Sequence, residues 1–336
     1  MLYFEKLLGL IFLIFFLSSS NRVNGQTKEN RVFIWGINGH PFTQQAYNKR
    51  TWAEQLSFLK DLKVDYYRID VPLANTGRSK NEAAFYAFVR QLKSINVKPM
   101  PAVFPRIDTT VIDSLNTYNL YYEQGKTFAK EYGDLIDVVE VGNEWETKLI
   151  KSRKLDGTRA SHYDLVKAKK RMWLLQGFIN GMKTVKSSLR VSISLGWTHW
   201  YYLELLEKHH VNYDIIGYHW YSDMGDITNA RKPYGDFLPT LKEKYRKEIW
   251  VTEFNTHAGT VKHSFASQKD YIAKSIERIL KHKVISGLFI YELFDQPALK
   301  PRYPDEPNYG LIYMEGNQRR LKPAYLIFRQ FIASTK

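Results

Sequence analysis

Hydrophobic positions along this chain follow two alternating rhythms. Short, nearly continuous apolar runs recur at 32–37, 64–71, 97–104, 136–142, 190–195, 213–219, 248–254 and 284–293. Longer stretches between them carry apolar residues three or four apart, the spacing of a helix that buries one face. A run such as Val284-Ile285-Ser286-Gly287-Leu288-Phe289-Ile290-Tyr291 has little polar alternation, which suits a parallel strand covered on both sides. Thr51 and Glu54 are spaced as a capping box ahead of Leu56, Leu59 and Leu62. Ser161 and Asp164 signal the start of a long helix reaching about residue 187. Ile272, Ile276, Ile279 and Leu280 line one face of another helix after Gln268, and a last helix near 323–332 closes the series.

Eight such strand-to-helix units, with no linker or low-complexity break, predict a single-domain (β/α)8 TIM barrel of the α/β class. A doubly wound sheet is the competing architecture. The turn Trp35-Gly36-Ile37-Asn38-Gly39-His40-Pro41 lacks the glycine spacing that such a sheet uses to hold a dinucleotide.

Residues 1–25 break the rhythm. Lys6 precedes an apolar run over 7–17, and Ser18-Ser19-Ser20 follows, with a second cleavage point offered by Val23-Asn24-Gly25 before Gln26. The run is short for a bilayer span and fits a secretory signal peptide, an uncleaved anchor being the alternative. The expectation is a signal over 1–25 and a folded domain over 26–336. The mature protein would then be secreted or periplasmic, with no stable membrane span after cleavage.

Composition narrows the function classes. The 336 residues are 44% hydrophobic and 15% aromatic, with 19 Gly and 12 Pro, a profile of neither a disordered nor a collagen-like chain. With no Cys, thiol catalysis, Cys-ligated zinc, iron–sulfur clusters and disulfides are all excluded. Lys and Arg (49) outnumber Asp and Glu (34), giving a formal charge of +15. The charges are scattered or in short runs such as Lys169-Lys170-Arg171, without zinc-finger spacing or an RNP-like aromatic motif. No nucleic-acid partner is therefore expected. The excess suits a solvated basic surface or an acidic glycan. Oligomeric state has no signature here.

A barrel gathers its chemistry at the C-terminal ends of its strands. The fourth predicted strand ends Glu140-Val141-Gly142-Asn143-Glu144-Trp145, and the seventh ends Thr252-Glu253-Phe254-Asn255. Two carboxyl groups facing each other across a ring can hydrolyse a glycosidic bond. One protonates the leaving oxygen and the other attacks the anomeric carbon, with retention where they stand roughly 5–5.5 Å apart.

Asn143-Glu144 after strand four together with Glu253 after strand seven resembles glycoside hydrolase clan A, the retaining (β/α)8 glycosidases, families 5 and 39 being the nearest comparisons. Glu140 completes the Glu-x-x-Asn-Glu form of that clan, and Arg68 in Tyr66-Tyr67-Arg68-Ile69-Asp70 matches its second-strand Arg. His219-Trp220-Tyr221 resembles the His-x-Tyr pattern of family 5. The resemblance implies Glu144 as acid/base, Glu253 as nucleophile and Asn143 as donor to a sugar hydroxyl. It further implies that Arg68 and Tyr221 support the nucleophile. The chain departs from the clan where Trp145 replaces a common Pro, where Tyr291-Glu292 replaces a strand-eight Trp, and where Phe104-Pro105 lacks a nearby His.

Each candidate has a plainer reading. Glu140 reads as a buried partner of Arg68, because an unpaired buried carboxylate is costly. Arg68 is equally compatible with a structural ion pair, whereas His219 taken alone reads as a core histidine and Tyr221 two residues on favours a place in the site. Trp145, Trp197 and Trp220 fall at strand ends, where an aromatic face can stack on a sugar ring. Tyr291, Glu292 and His40 are further candidate sugar contacts. His209-His210, His257 and His263 match no metal-ligand spacing, so no metal is expected, and carboxylate chemistry requires no cofactor. These features predict a retaining hydrolase of a polysaccharide or oligosaccharide. A non-catalytic glycan-binding barrel of the cell envelope is the alternative, and the presence of both carboxylates argues against it.

Overall fold

The computed structural model describes residues 32–106 and 113–336; the expected signal segment 1–25 lies outside them. Eight strands, β1 (Ile34–Gly39), β2 (Tyr66–Pro72), β3 (Lys98–Phe104), β4 (Val138–Val141), β5 (Arg190–Gly196), β6 (Ile215–Tyr221), β7 (Glu248–Asn255) and β8 (Ile285–Ile290), all pair in parallel. Each joins its sequence neighbours, and β8 pairs with β1 to close the barrel. Helices follow the strands in turn: α1 (Trp52–Leu62), α2 (Glu82–Ser94), α3 (Ser114–Tyr132), α4 (Leu165–Val185), α5 (Tyr201–Lys208), α6 (Leu238–Tyr245), α7 (Phe265–His282) and α8 (Pro323–Thr335). All belong to one compact unit. Among the described residues, no helix is long and apolar enough to cross a membrane.

Each predicted strand overlaps an observed one, but some predicted helix starts do not hold. The Thr51 side chain does not cap α1; its hydroxyl donates back to Ala46 and Asn48, and Glu54 pairs outward with Arg319 at 2.6 Å. Asp164 does cap α4, accepting from the Lys167 amide at 3.0 Å, whereas Ser161 lies in a preceding 3-10 turn. Helix α7 begins at Phe265 rather than after Gln268, because Ser264 accepts from the Ser267 amide at 3.1 Å.

Strand periodicity sorts side chains between the barrel interior and the helix layer. In β2, Tyr67, Ile69 and Val71 join the outer core, while Tyr66 turns inward to Met100, Val138, Ile215, Trp250 and Phe289. These six residues plug one end of the barrel. Above them lies a buried polar level containing Asn38, Arg68, Glu140, Ser192 and Thr252. Gly217 leaves room for this level, since a Cβ there would come within 2.8–3.1 Å of Ser192, Thr252 and Glu140 side-chain oxygens.

One irregularity matters to the site. Tyr218 of β6 is opposite Val251, but the next residue, His219, is opposite Glu253. Thr252 is therefore an extra residue in β7, a bulge of the kind that re-aims side chains. Trp250 faces the interior, so strict alternation from it would send Glu253 outward. With the bulge, Glu253 faces inward and Phe254 faces out, stacked 5.1 Å from Tyr271 of α7.

Candidate active site

At the end of β4 the chain passes through two left-handed residues, Gly142 (φ 81°) and Glu144 (φ 46°). A non-glycine residue in that region costs about 1 kcal/mol or more, and such strain collects at functional sites. The Glu144 amide is secured by the Ser194 hydroxyl at 3.2 Å. The turn separates consecutive side chains: Glu144 is directed to the barrel mouth and Trp145 away from it.

Arg68, 2% exposed, joins the carboxylates beneath the mouth. Its Nη1 donates to Glu253 Oε1 at 2.8 Å, and its Nε and Nη2 donate to Glu140 Oε1 at 3.1 and 2.5 Å. Nη2 also donates to Asn143 Oδ1 at 2.6 Å, which leaves the Asn143 amide NH2 to donate elsewhere. The second Glu140 oxygen accepts from Ser192 at 3.3 Å. Glu140 is fully buried and matched by the guanidinium, as the cost of an isolated buried charge demands.

Glu253 Oε2 accepts from the Tyr221 hydroxyl at 2.8 Å. Burial, reinforced by the Glu253 charge, pushes the Tyr221 phenol well above its ordinary range, so it remains a donor. His219 Nδ1 lies 2.9 Å from Glu144 Oε1 and 3.5 Å from Glu253 Oε2. Burial alone would discharge this imidazole, but Glu253 and Glu144 together raise its pKa. Burial likewise opposes ionisation of Glu144, yet the His219 hydrogen bond and charge hold its carboxyl below the usual range. The two shifts favour an ion pair, imidazolium against carboxylate, so the titration of each group depends on the other.

One oxygen each of Glu144 and Glu253, with a His219 ring nitrogen, lie within 4.8 Å of one another. That set has the donors to hold a divalent cation. However, Arg68 and Tyr221 already occupy both oxygens of Glu253, and the guanidinium charge opposes a second cation. The arrangement fits two reacting carboxyl groups better than a metal centre.

The remaining candidates divide. Trp197, itself left-handed (φ 45°), lines a cleft of about 780 Å3 beside Glu144, with His199 and Tyr234 edge-on to it. Tyr291 is half-buried at the mouth, edge-on to Tyr221 and Tyr309. Trp145 does not line the cleft, contrary to expectation: the Arg171 guanidinium of α4 stacks 4.1 Å from its ring centre, and Gly142 abuts the ring. Trp220 is also fully buried in the outer core, donating to Gly225 at 2.9 Å.

His40 and Glu292 also differ from expectation, for neither is open to a sugar. His40 Nδ1 is 2.6 Å from Asp70, its Nε2 is 3.3 Å from Glu292, and the ring is 6% exposed. Burial opposes its charge, but Asp70 and then Glu292 override it and push its pKa up to about 10. Glu292 is fully buried and accepts from Tyr47 at 2.8 Å and Gln296 at 2.6 Å.

Two carboxyl groups near the mouth were not anticipated. Glu146 is fully buried and accepts from the Gly196 amide at 2.8 Å, with His199 Nδ1 at 3.2 Å. Burial raises its pKa against the pull of His199. Glu306, on the segment after β8, is pushed up to about 7 by burial and then by the charges of Glu292, Glu253 and Glu144. Glu146 carried a faint signal, lying two residues beyond Glu144 in an acidic pair; Glu306 carried none.

A closed parallel barrel with two carboxyl groups meeting over its strand ends defines a class, the retaining clan A glycosidases. Residues 98–291, more than half of the chain, match the profile of glycosyl hydrolase family 53. The chain belongs to that family and is a retaining O-glycosyl hydrolase with a carbohydrate substrate. The nearest comparisons suggested by the sequence were families 5 and 39 of the same clan. No curated protein matches the chain.

Solved structures share the fold at low identity. A family 39 glycoside hydrolase from the gut symbiont Bacteroides cellulosilyticus WH2 aligns with TM-score 0.64 and 16% identity, over 89% of this chain. This chain spans 63% of that enzyme's length. A family 1 β-glucosidase from Thermotoga maritima aligns with TM-score 0.63 and 12% identity, covering 90% of this chain and 98% of its own. The virulence factor SghA from Agrobacterium tumefaciens gives TM-score 0.60 and 14% identity, over 90% and 97%.

Proposed function

We propose that the protein is exported and cleaves a polysaccharide or oligosaccharide by double displacement, with Glu253 as nucleophile and Glu144 as acid/base. The observation that carries this reading is the approach of the two carboxyl groups, whose oxygens come within 4.8 Å. That is close to the separation of retaining enzymes and too small to seat a water between the pair and the sugar.

In the first step a Glu253 oxygen attacks the anomeric carbon while the bond to the leaving oxygen breaks. Glu144 delivers that oxygen's proton, taken from the His219 imidazolium across their 2.9 Å hydrogen bond, and His219 is left neutral. Arg68 and Tyr221 aim the attacking carboxylate and offset its charge. In the second step Glu144 takes a proton from water, whose oxygen attacks the same carbon and releases Glu253. The low pKa direction of Glu144 favours this base half of the cycle, when the Glu253 charge has been lost to the ester. Asn143 is oriented by Arg68 to donate to a sugar hydroxyl, and Trp197 and Tyr291 offer aromatic surfaces to sugar rings.

The test is hydrolysis of a panel of aryl glycosides and neutral and acidic polysaccharides by the wild type, E253A and E144A. Both variants should lose at least roughly a thousandfold in kcat on the polymer, the scale of losing an essential catalytic group. On activated aryl glycosides, azide should accelerate E144A and give a glycosyl azide of retained configuration. Azide products of inverted configuration from E144A would interchange the two roles, and unchanged hydrolysis by E253A would remove the mechanism. Export is supported by the apolar run over 7–17 behind Lys6. Recovery of protein beginning near Gln26 outside the expressing cell is the expected result, and an intact N-terminus retained in the cytoplasm would refute it.

A further inference from the structure

The cleft beside Glu144 carries a charge that hydrolysis of a neutral glycan does not require. Lys148 and Arg153 enter it from the segment after β4, and Arg231 and Lys232 from the segment after β6. All four are exposed. None has a carboxylate partner among the described residues, whereas Lys126, Lys262, Arg278 and Arg320 elsewhere on the barrel each have one within 3.0 Å. Apart from Glu144, the one carboxylate lining the cleft is Asp223, which lies 3.6 Å from His257. Four like charges around a space of about 780 Å3 repel one another and attract anions. Arg231 is propped from behind, its stem lying against Gly225. The aromatic groups Trp197 and Tyr234 share the same wall, so sugar-ring contact and anion contact are offered together.

We infer that this wall selects a glycan bearing an anionic substituent, a carboxylate or a sulfate ester, on the sugar bound beside Glu144. This rests on the glycoside-hydrolase reading of the cleft and specifies its substrate class. The anion meets Arg231 and Lys232 on one side and Lys148 and Arg153 on the other, and no bond is made or broken there. Each exposed charge contact is worth roughly a factor of two to five in affinity, so two or more acting on one sugar give a preference of about tenfold. The overall charge of +15 adds long-range attraction for a polyanion.

The test is calorimetric binding to the full chain carrying E253Q, using paired oligosaccharides. One pair is uronate-bearing and its carboxyl-reduced counterpart; the other is sulfated and its desulfated counterpart. The expected result is about tenfold tighter binding of the anionic member of one pair, and the pair that shows it identifies the substituent. That gap should collapse in R231A/K232A and in K148A/R153A, return in R231K/K232R, and vanish near 1 M salt, where screening shortens to about 3 Å. Equal binding of the members of both pairs, binding of neither, or a gap that survives both double variants would overturn the inference. Binding is read without turnover, so a gap found alongside a wild type that hydrolyses nothing would refute the proposed reaction and leave the anion site standing.

Discussion

Arg68 is the residue whose loss should separate what stabilises the barrel from what drives its chemistry. It is 2% exposed and donates to Glu140, Glu253 and Asn143. Arg68→Met keeps much of the volume and removes the charge, leaving two buried carboxylates without their cation. Breaking a buried ion pair from one side costs roughly 3–5 kcal/mol, because the remaining charge is left uncompensated. With an unfolding entropy of about 2.1 cal/mol/K per residue, 1 kcal/mol shifts the melting of a 336-residue chain by about 1.4 °C, so melting should fall by about 4–7 °C. Adding Glu140→Gln removes one of the two stranded charges, and roughly half of the lost melting temperature should return. Activity should not return with it, since Glu253 still lacks its guanidinium. The measurements are thermal denaturation by circular dichroism and kcat on an aryl glycoside, for both single variants and the double. A single variant that melts within about 2 °C of wild type would refute the buried-charge account. A double variant with near wild-type kcat would show that Arg68 serves Glu140 alone.

Tyr221→Phe removes one of the two fixed donors to Glu253 and no packing volume, so kcat should drop by roughly 10–100-fold through loss of a charged hydrogen bond of about 1.5–3 kcal/mol, with KM little moved; steady-state kinetics on an aryl glycoside would check it, and an unchanged kcat would count against the 2.8 Å bond to Glu253. The His40–Asp70 contact makes stability pH-dependent: His40 titrates at 6.5 when unfolded and about 10 when folded, so its contribution is complete below about 6.5 and is lost as pH rises through about 10. Urea denaturation at pH 6 and pH 9.5 should therefore show a larger decline for wild type than for His40→Gln, and equal declines would refute the assignment.

The barrel was legible because its strands are apolar on both faces and its helices on one, and these two periods survive any detail of packing. The Arg68–Glu253 contact was anticipated by a resemblance, not by the pattern. Counting alternately along β7 from the inward Trp250 places Glu253 on the helix side, and the bulge at Thr252 reverses that. Bulges depend on the register between neighbouring strands, which one strand's sequence does not encode. Trp145 failed as a sugar platform for a related reason. It is adjacent to Glu144 in the chain, but the left-handed turn through Gly142 and Glu144 carries it to Arg171 on α4. His40 and Glu292 were located correctly at strand ends yet misjudged in exposure. The groups that cover them, Asp70, Tyr47 and Gln296, come from separate segments, with Tyr47 and Glu292 245 residues apart.

These failures have a common physical origin, and it bears on how the site works. Hydrophobic period reports which side of the barrel wall a residue occupies when the ladder is regular. The two carboxyl groups to which we assign the reaction sit where it is irregular, at a left-handed turn after β4 and a bulge in β7. Regular strands would place the inward side chains of β4 and β7 on the alternating ring of positions that already holds Glu140 and Thr252 in the buried level. The two distortions add Glu144 and Glu253 above that ring without displacing it. The polar level then becomes the support for the chemistry: Glu140 holds Arg68, and Arg68 holds Glu253 and Asn143.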